Sequence, residues 1–125
     1  MITSTLIDVT SPTTKRVFTA TEFGTPVVAP GDKRPTAITS IILCNKETPS
    51  LTNELTNDVD VSIYLVKDTQ TPSATSNIIV SNLTIPAGET VFFSDERIIL
   101  DGGDMIFVEV SDSNRLVVTV SSLHV

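Results

Sequence analysis

Between Ile85 and Val110 the chain reads IPAGETVFFSDERIILDGGDMIFVEV. A Pro-Ala-Gly turn, an apolar run, a Gly-Gly turn and a second apolar run follow one another, with no room for a helix between them. Glycine accepts positive φ, proline presets its own φ, and Asp bonds back to the local backbone. β-Branched and aromatic residues fill the runs, and these suit a pleated surface better than a helical one. Gly102-Gly103 joins two apolar runs and is the strongest hairpin signal in the chain. A stretch of this kind folds as antiparallel β-structure built for packing.

The same grammar covers the remaining sequence. Strands are expected at Thr3–Val9, Arg16–Thr21, Thr36–Cys44, Val59–Lys67, Asn77–Ile85, Glu89–Phe93, Glu96–Leu100, Asp104–Ser111 and Leu116–Leu123. Apolar and polar residues alternate most clearly at Val61/Ile63/Leu65 and Leu116/Val118/Val120, the period of a half-buried strand. Pro30-Gly31-Asp32 and Ser113-Asn114 add turns. Many short strands punctuated this closely predict an all-β chain, an antiparallel β-sandwich of jelly-roll or immunoglobulin-like winding with about eight strands. A length of 125 residues suits a single domain, with residues 1–35 a candidate amino-terminal arm or edge segment.

Three apolar runs, Ile41–Leu43, Ile78–Val80 and Ile98–Leu100, do not alternate. Continuous runs arise where both faces of a sheet are covered. One face would meet the core, and the other is open to a neighbouring subunit, although ordinary sandwiches show such runs too.

Charge narrows the partners. Fifteen acidic residues against eight basic ones give a net charge of −7, which works against binding to nucleic acid through phosphate neutralisation. The acidity reads as a solubility charge or as a face for a basic partner. No apolar run approaches the ~18–20 residues of a membrane helix, and MITSTLIDVT has neither the basic nor the apolar region of a secretory leader. Cys44 is the only cysteine, so no intrachain disulfide forms and folding in a reducing cytoplasm is allowed. It reads as a small buried hydrophobe.

Residue types that carry chemistry are sparse. The single histidine, His124, is penultimate, a poor place for an oriented catalytic base. The acid pairs Asp58/Asp60, Asp95/Glu96 and Asp101/Asp104 each flank a turn, where Asp is favoured for local hydrogen bonding. Asp101 and Asp104 are the weak candidates for calcium, since no EF-hand loop is present. No phosphate-binding glycine loop, dinucleotide fingerprint or zinc pattern occurs, so neither catalytic residues nor a cofactor is expected. Asn82-Leu83-Thr84 matches a glycosylation sequon without the leader that would give it meaning. Tyr64 is the only Tyr and there is no Trp, which leaves little for a sugar-stacking face.

Candidates for protein contact are easier to name. The segment Phe18–Pro35 carries Phe23, Val27 and Val28 among prolines and could lie across a neighbour. Two connections, Asn45–Asp58 and Asp68–Ser76, are longer than hairpins need, and loops of that length are often functional. Phe18, Phe23, Val27, Val28, Leu51, Leu55 and Pro72 are the interface candidates.

From Thr36 onward the chain runs through TAITSIILCN (Thr36–Asn45), VSIYLV (Val61–Val66), IIVSNLTIPAGET (Ile78–Thr90), LDGGDMIFVEV (Leu100–Val110) and LVVTVSSLHV (Leu116–Val125). In this order the segments resemble a family of small bacteriophage virion proteins. Each segment alone is what a generic sandwich would show, and their order carries the likeness. Where that family often ends in an acidic residue, this chain has His124-Val125. The resemblance implies a non-enzymatic β-sandwich subunit of a tailed phage, made and assembled in the bacterial cytoplasm and resident in the virion. Its implied partners are other virion proteins of the neck, tail or capsid, with several symmetric copies of itself and neither nucleic acid nor membrane. A neck or tail position is the first expectation. A capsid decoration protein is the alternative, and a carbohydrate- or receptor-binding module of a tail fibre is the second alternative.

Overall fold

The computed structural model describes residues 2–6, 14–19, 36–49, 57–73, 75–94, 98–112 and 115–124. Its strands are β1 (Ile2–Leu6), β2 (Thr14–Thr19), β3 (Thr36–Asn45), β4 (Val59–Val66), β5 (Ile78–Ile85), β6 (Thr90–Phe93), β7 (Ile98–Leu100), β8 (Met105–Val110) and β9 (Leu116–His124). Each expected strand has a counterpart, and the ends differ by a few residues.

Two antiparallel sheets form. One has the order β1-β9-β3-β6, with β7 also pairing with β3, and the other has the order β2-β8-β4-β5. They are called here the β9–β3 sheet and the β8–β4 sheet. β6 pairs with Ile41–Cys44 and β7 with Thr36–Ile38, so the two short strands share one edge of β3. The pairs β1–β9, β2–β8, β3–β6/β7 and β4–β5 are those of one long hairpin folded at the β4–β5 connection. Rolling that hairpin creates the remaining pairs, β3–β9 and β4–β8. This winding is the jelly roll rather than the immunoglobulin alternative.

The rolled winding corrects one expectation. Asp101-Gly102-Gly103-Asp104 does form a tight turn, with Asp104 N donating to Asp101 O at 3.0 Å. It does not close a hairpin, because β7 lies in one sheet and β8 in the other. Pro86-Ala87-Gly88 likewise carries the chain from β5 across to β6. Gly102-Gly103 reads as a hairpin locally, but turn chemistry sets only the reversal. Which strand pairs next is decided by where each apolar face finds cover.

The core fills the space between the sheets. Ile38, Ile41, Leu43, Leu100, Leu116, Val118 and Val120 enter from the β9–β3 sheet. Val17, Val59, Val61, Ile63, Ile85, Ile106, Val108 and Val110 enter from the β8–β4 sheet. Burying each Val, Ile or Leu of this kind contributes about 1.5–3 kcal/mol. Along β3 the buried positions change phase from Thr36 and Ile38 to Ile41, Leu43 and Asn45. A bulge between Ile38 and Ser40 in the β3–β9 register makes that change. It keeps Ile41 opposite Val120 and Leu43 opposite Val118, all of them inward.

One buried polar side chain pins the two sheets together at the end of β3. Asn45 is fully buried, and its amide nitrogen donates to Ile85 O at 2.9 Å and Asn57 O at 2.8 Å. Its side-chain oxygen accepts from Glu47 N at 3.1 Å. Ile85 ends a strand of the opposite sheet, so this amide ties the end of β3 to the backbone of that sheet while its own buried polar atoms are satisfied.

The β4–β5 connection, which looked like a long polar loop, is internally bonded. Asn77 Oδ1 accepts from Ser73 N at 2.7 Å, and Asn77 Nδ2 donates to Thr71 O at 3.0 Å. Asn77 was expected to open a strand. Its side chain instead clamps the loop, and β5 begins one residue later.

Candidate interaction surface

The sandwich has two outer faces. On the β8–β4 sheet the outward residues of β4 include Asp60, Ser62 and Tyr64, next to Glu109 of β8. Their polar groups bond to one another. Thr84 Oγ1 donates to Asp60 Oδ1 at 2.6 Å, and Tyr64 OH donates to Glu109 Oε1 at 3.3 Å. Buried Ser62 accepts from Asn82 N at 3.1 Å, capping a backbone donor where the β4–β5 register shifts and Asn82 takes a φ of 53°. Burial, then the charge of Glu109, then the hydrogen bond to it raise the Tyr64 pKa above its ordinary 10.0. A shallow polar groove of about 320 Å³ lies among Asp60, Ser62, Asn82, Glu109 and Ser111.

The carboxylate of Asp104 is engaged by the backbone. Its Oδ1 accepts from Asp68 N at 3.1 Å and its Oδ2 from Asp101 N at 3.0 Å. The pair Asp101/Asp104 thus forms a turn clamp that also holds the end of β4. Asp58 accepts Arg115 Nη1 through its backbone oxygen at 2.7 Å. Among the described residues no group of three or more His, Cys, Asp or Glu side chains is positioned to share a metal.

The outer face of the β9–β3 sheet is different in kind. Ala37 pairs with Leu123 on one side and Ile99 on the other, Ile42 with Thr119 and Phe92, and Cys44 with Val117 and Thr90. Phe92 and Ile99 are each 64% exposed and Leu123 is 62% exposed. Ala37, Ile42, Cys44 and Val117 are half-buried between them. An open depression of about 330 Å³ adjoins this face at Ile99, lined also by Leu65, Val66, Lys67, Ile98, Leu100 and Asp104.

The contact residues expected from sequence are not those the structure exposes. Phe18 lies in β2 with its backbone paired to Ile106, and its side chain is outside the described residues. Phe23, Val27, Val28, Leu51 and Leu55 also lie outside the described residues, as do Asp95 and Glu96. Pro72 is half-buried in the loop clamped by Asn77. Cys44, expected as a buried hydrophobe, is half-buried on the outer face, because inward alternation falls on Leu43 and Asn45. The apolar face was missed although its signal stood in the sequence. None of β1, β3, β6, β7 and β9 contains Asp, Glu, Lys or Arg. That regularity becomes visible only once the five strands are known to share a sheet.

Compared with family models, with curated proteins and with solved structures, the chain matches none.

Proposed function

We propose that the chain is a non-enzymatic structural subunit of a tailed-phage virion, placed at the head–tail junction or in the tail and working through protein–protein packing. The observation that carries this reading is the uncharged outer face of the β9–β3 sheet, with Phe92, Ile99 and Leu123 standing exposed on it. Large apolar side chains left exposed on one uncharged sheet face mark contact with another protein more often than chemistry. The ordered resemblance of Thr36–Val125 to small phage virion proteins supplies the phage context. A subunit repeated by symmetry gains avidity across modest contacts, so one sheet face per copy is sufficient.

Cryo-electron microscopy of the intact particle tests the proposal. The expected result is density for this sandwich at the neck or tail in a symmetric copy number. Density on the head surface instead would make the chain a capsid decoration protein. A purified chain that binds a glycan array while failing to bind empty heads or tails would overturn the structural reading in favour of a receptor-binding module.

A further inference from the structure

The outer face of the β9–β3 sheet has a relief as well as a composition. At one end the small side chain of Ala37 lies between Leu123 and Ile99, its lateral partners, which stand out on either side. The two flanking strands are about 10 Å apart, so the gap above Ala37 is about one side chain wide. Toward the other end Phe92 projects from the sheet edge beside the lower Ile42. One end is therefore a notch with two walls and the other a knob. A surface with both on the same face is suited to an isologous contact, in which each copy supplies what the other lacks.

Charge decides between occupants. The chain carries a net −7, so two copies repel unless they meet where neither has charge. The strands of the β8–β4 sheet include Lys15, Arg16, Asp60 and Glu109, and Asp60 and Glu109 face outward there. Those of the β9–β3 sheet hold no Asp, Glu, Lys or Arg. A charged partner, whether a nucleic acid or a basic protein surface, finds no complement on this face.

Area sets the strength of the contact. The 31 residues in the strands of this sheet, at about 3.3 Å per residue and about 4.8 Å between strands, give a face of roughly 490 Å². Two such faces bury about 1,000 Å² in total, the size of a weak, reversible association.

We infer that two copies of this chain dock face to face through the outer surface of the β9–β3 sheet, with Phe92, Ile99 and Leu123 within the contact. The inference rests on the reading of the chain as a repeated structural subunit, and it names the surface through which the copies meet.

Sedimentation equilibrium of the purified full chain is the test. The expected mass is twice 13.4 kDa at high concentration, dissociating on dilution. Phe92→Lys and Ile99→Asp, on different strands, are each expected to weaken dimerisation at least about 30-fold, with circular dichroism showing both folded. Ile79→Asp, at an exposed residue of β5 in the other sheet, is expected to leave the dimer intact. Alkylation of Cys44, which shares the face, should slow as wild-type concentration rises. A wild type that stays monomeric at every concentration would overturn the inference, as would loss of the dimer in Ile79→Asp. Slow Cys44 alkylation independent of concentration would place another segment of the same chain over the face, and would overturn it too. A monomeric chain that still incorporates into particles would sink this inference alone, whereas a dimer absent from particles would sink the virion reading alone.

Discussion

The two sheets share one winding and one core, yet they meet solvent in opposite ways. On the β8–β4 sheet, Asp60, Ser62, Tyr64 and Glu109 place polar groups outward and bond them to one another or to the neighbouring strand. Its edge strand β5 is broken twice by register shifts against β4, a device that blunts edge-to-edge pairing. The β9–β3 sheet instead divides one edge between the two short strands β6 and β7. Its strands carry no Asp, Glu, Lys or Arg, and its outer face exposes Phe92, Ile99 and Leu123. An antiparallel sheet facing water normally alternates apolar-in with polar-out, as the first sheet does along β4, with Ile79 on β5 its exposed exception. The second departs from that pattern only on its outer face, which makes the departure a property of a surface and not of the fold.

If so, the inner faces should be equivalent, and large-to-small changes test this most severely. Leu43→Ala on the β9–β3 sheet and Ile63→Ala on the β8–β4 sheet remove fully buried side chains. Each is expected to lower unfolding free energy by about 3–4 kcal/mol, read from urea denaturation at a concentration where the chain is monomeric. A difference between them of more than about 2 kcal/mol would show that one sheet packs loosely, and the contrast would no longer be confined to the outside.

Next in size is the seam. Asn45→Ala leaves the carbonyls of Ile85 and Asn57 without their side-chain donor at a buried site. The expected loss is about 2–3 kcal/mol, and Asn45→Asp should recover little, since a carboxylate has no N–H to donate. A loss under about 0.5 kcal/mol would mean that water replaces the amide and that the sheets are held by the core alone.

Strands and composition class were legible from sequence because β-branched runs and turn residues act locally. The alternation at Leu116/Val118/Val120 survives unchanged as the inward row of β9. Pairing was not legible in the same way. Gly102-Gly103 specifies a reversal, and nothing within the turn says whether the next strand returns to the same sheet or crosses to the other. Only β4 and β5 are both consecutive and paired, so the hairpin expected at Gly102-Gly103 does not form. The contact face was hidden for the same reason. Ile99 and Phe92 lie on separate short strands, and they share a surface only because both pair with β3. The aromatic and aliphatic residues of the arm and loops drew attention instead, since an apolar residue in a polar segment stands out while one in a strand does not.

The turn between the sheets offers a smaller effect. Gly103 has a φ of +93°, and a Cβ there would fall 2.6 Å from Asp68 Cγ and 2.9 Å from Asp68 Cβ. Gly103→Ala must therefore strain the turn and push the end of β4 off the Asp104 carboxylate that accepts from Asp68 N. The expected cost is about 2 kcal/mol, measured as a shift in denaturation midpoint. Gly102→Ala is the contrasting control, and an equal loss in both would locate the constraint in general crowding of the turn and not in φ.

The smallest effect separates the polar face from the apolar one by pH. Burial and the adjacent Glu109 raise the Tyr64 pKa above 10.0 in the folded chain, while the unfolded chain ionises near the ordinary value. The native state therefore holds this proton more tightly, and the associated stability is fully present below pH 10. It is lost as pH rises from there through the folded-state pKa. Tyr64→Phe removes the hydrogen bond to Glu109 and should cost about 1 kcal/mol or less at neutral pH. Above pH 10 its stability should fall less steeply than that of the wild type, so the two curves of denaturation midpoint against pH converge. Parallel curves would mean that the phenol ionises as freely in the fold as outside it. The outer face of the β8–β4 sheet would then be no better organised than open solvent, and the distinction between the two faces would rest on the β9–β3 sheet alone.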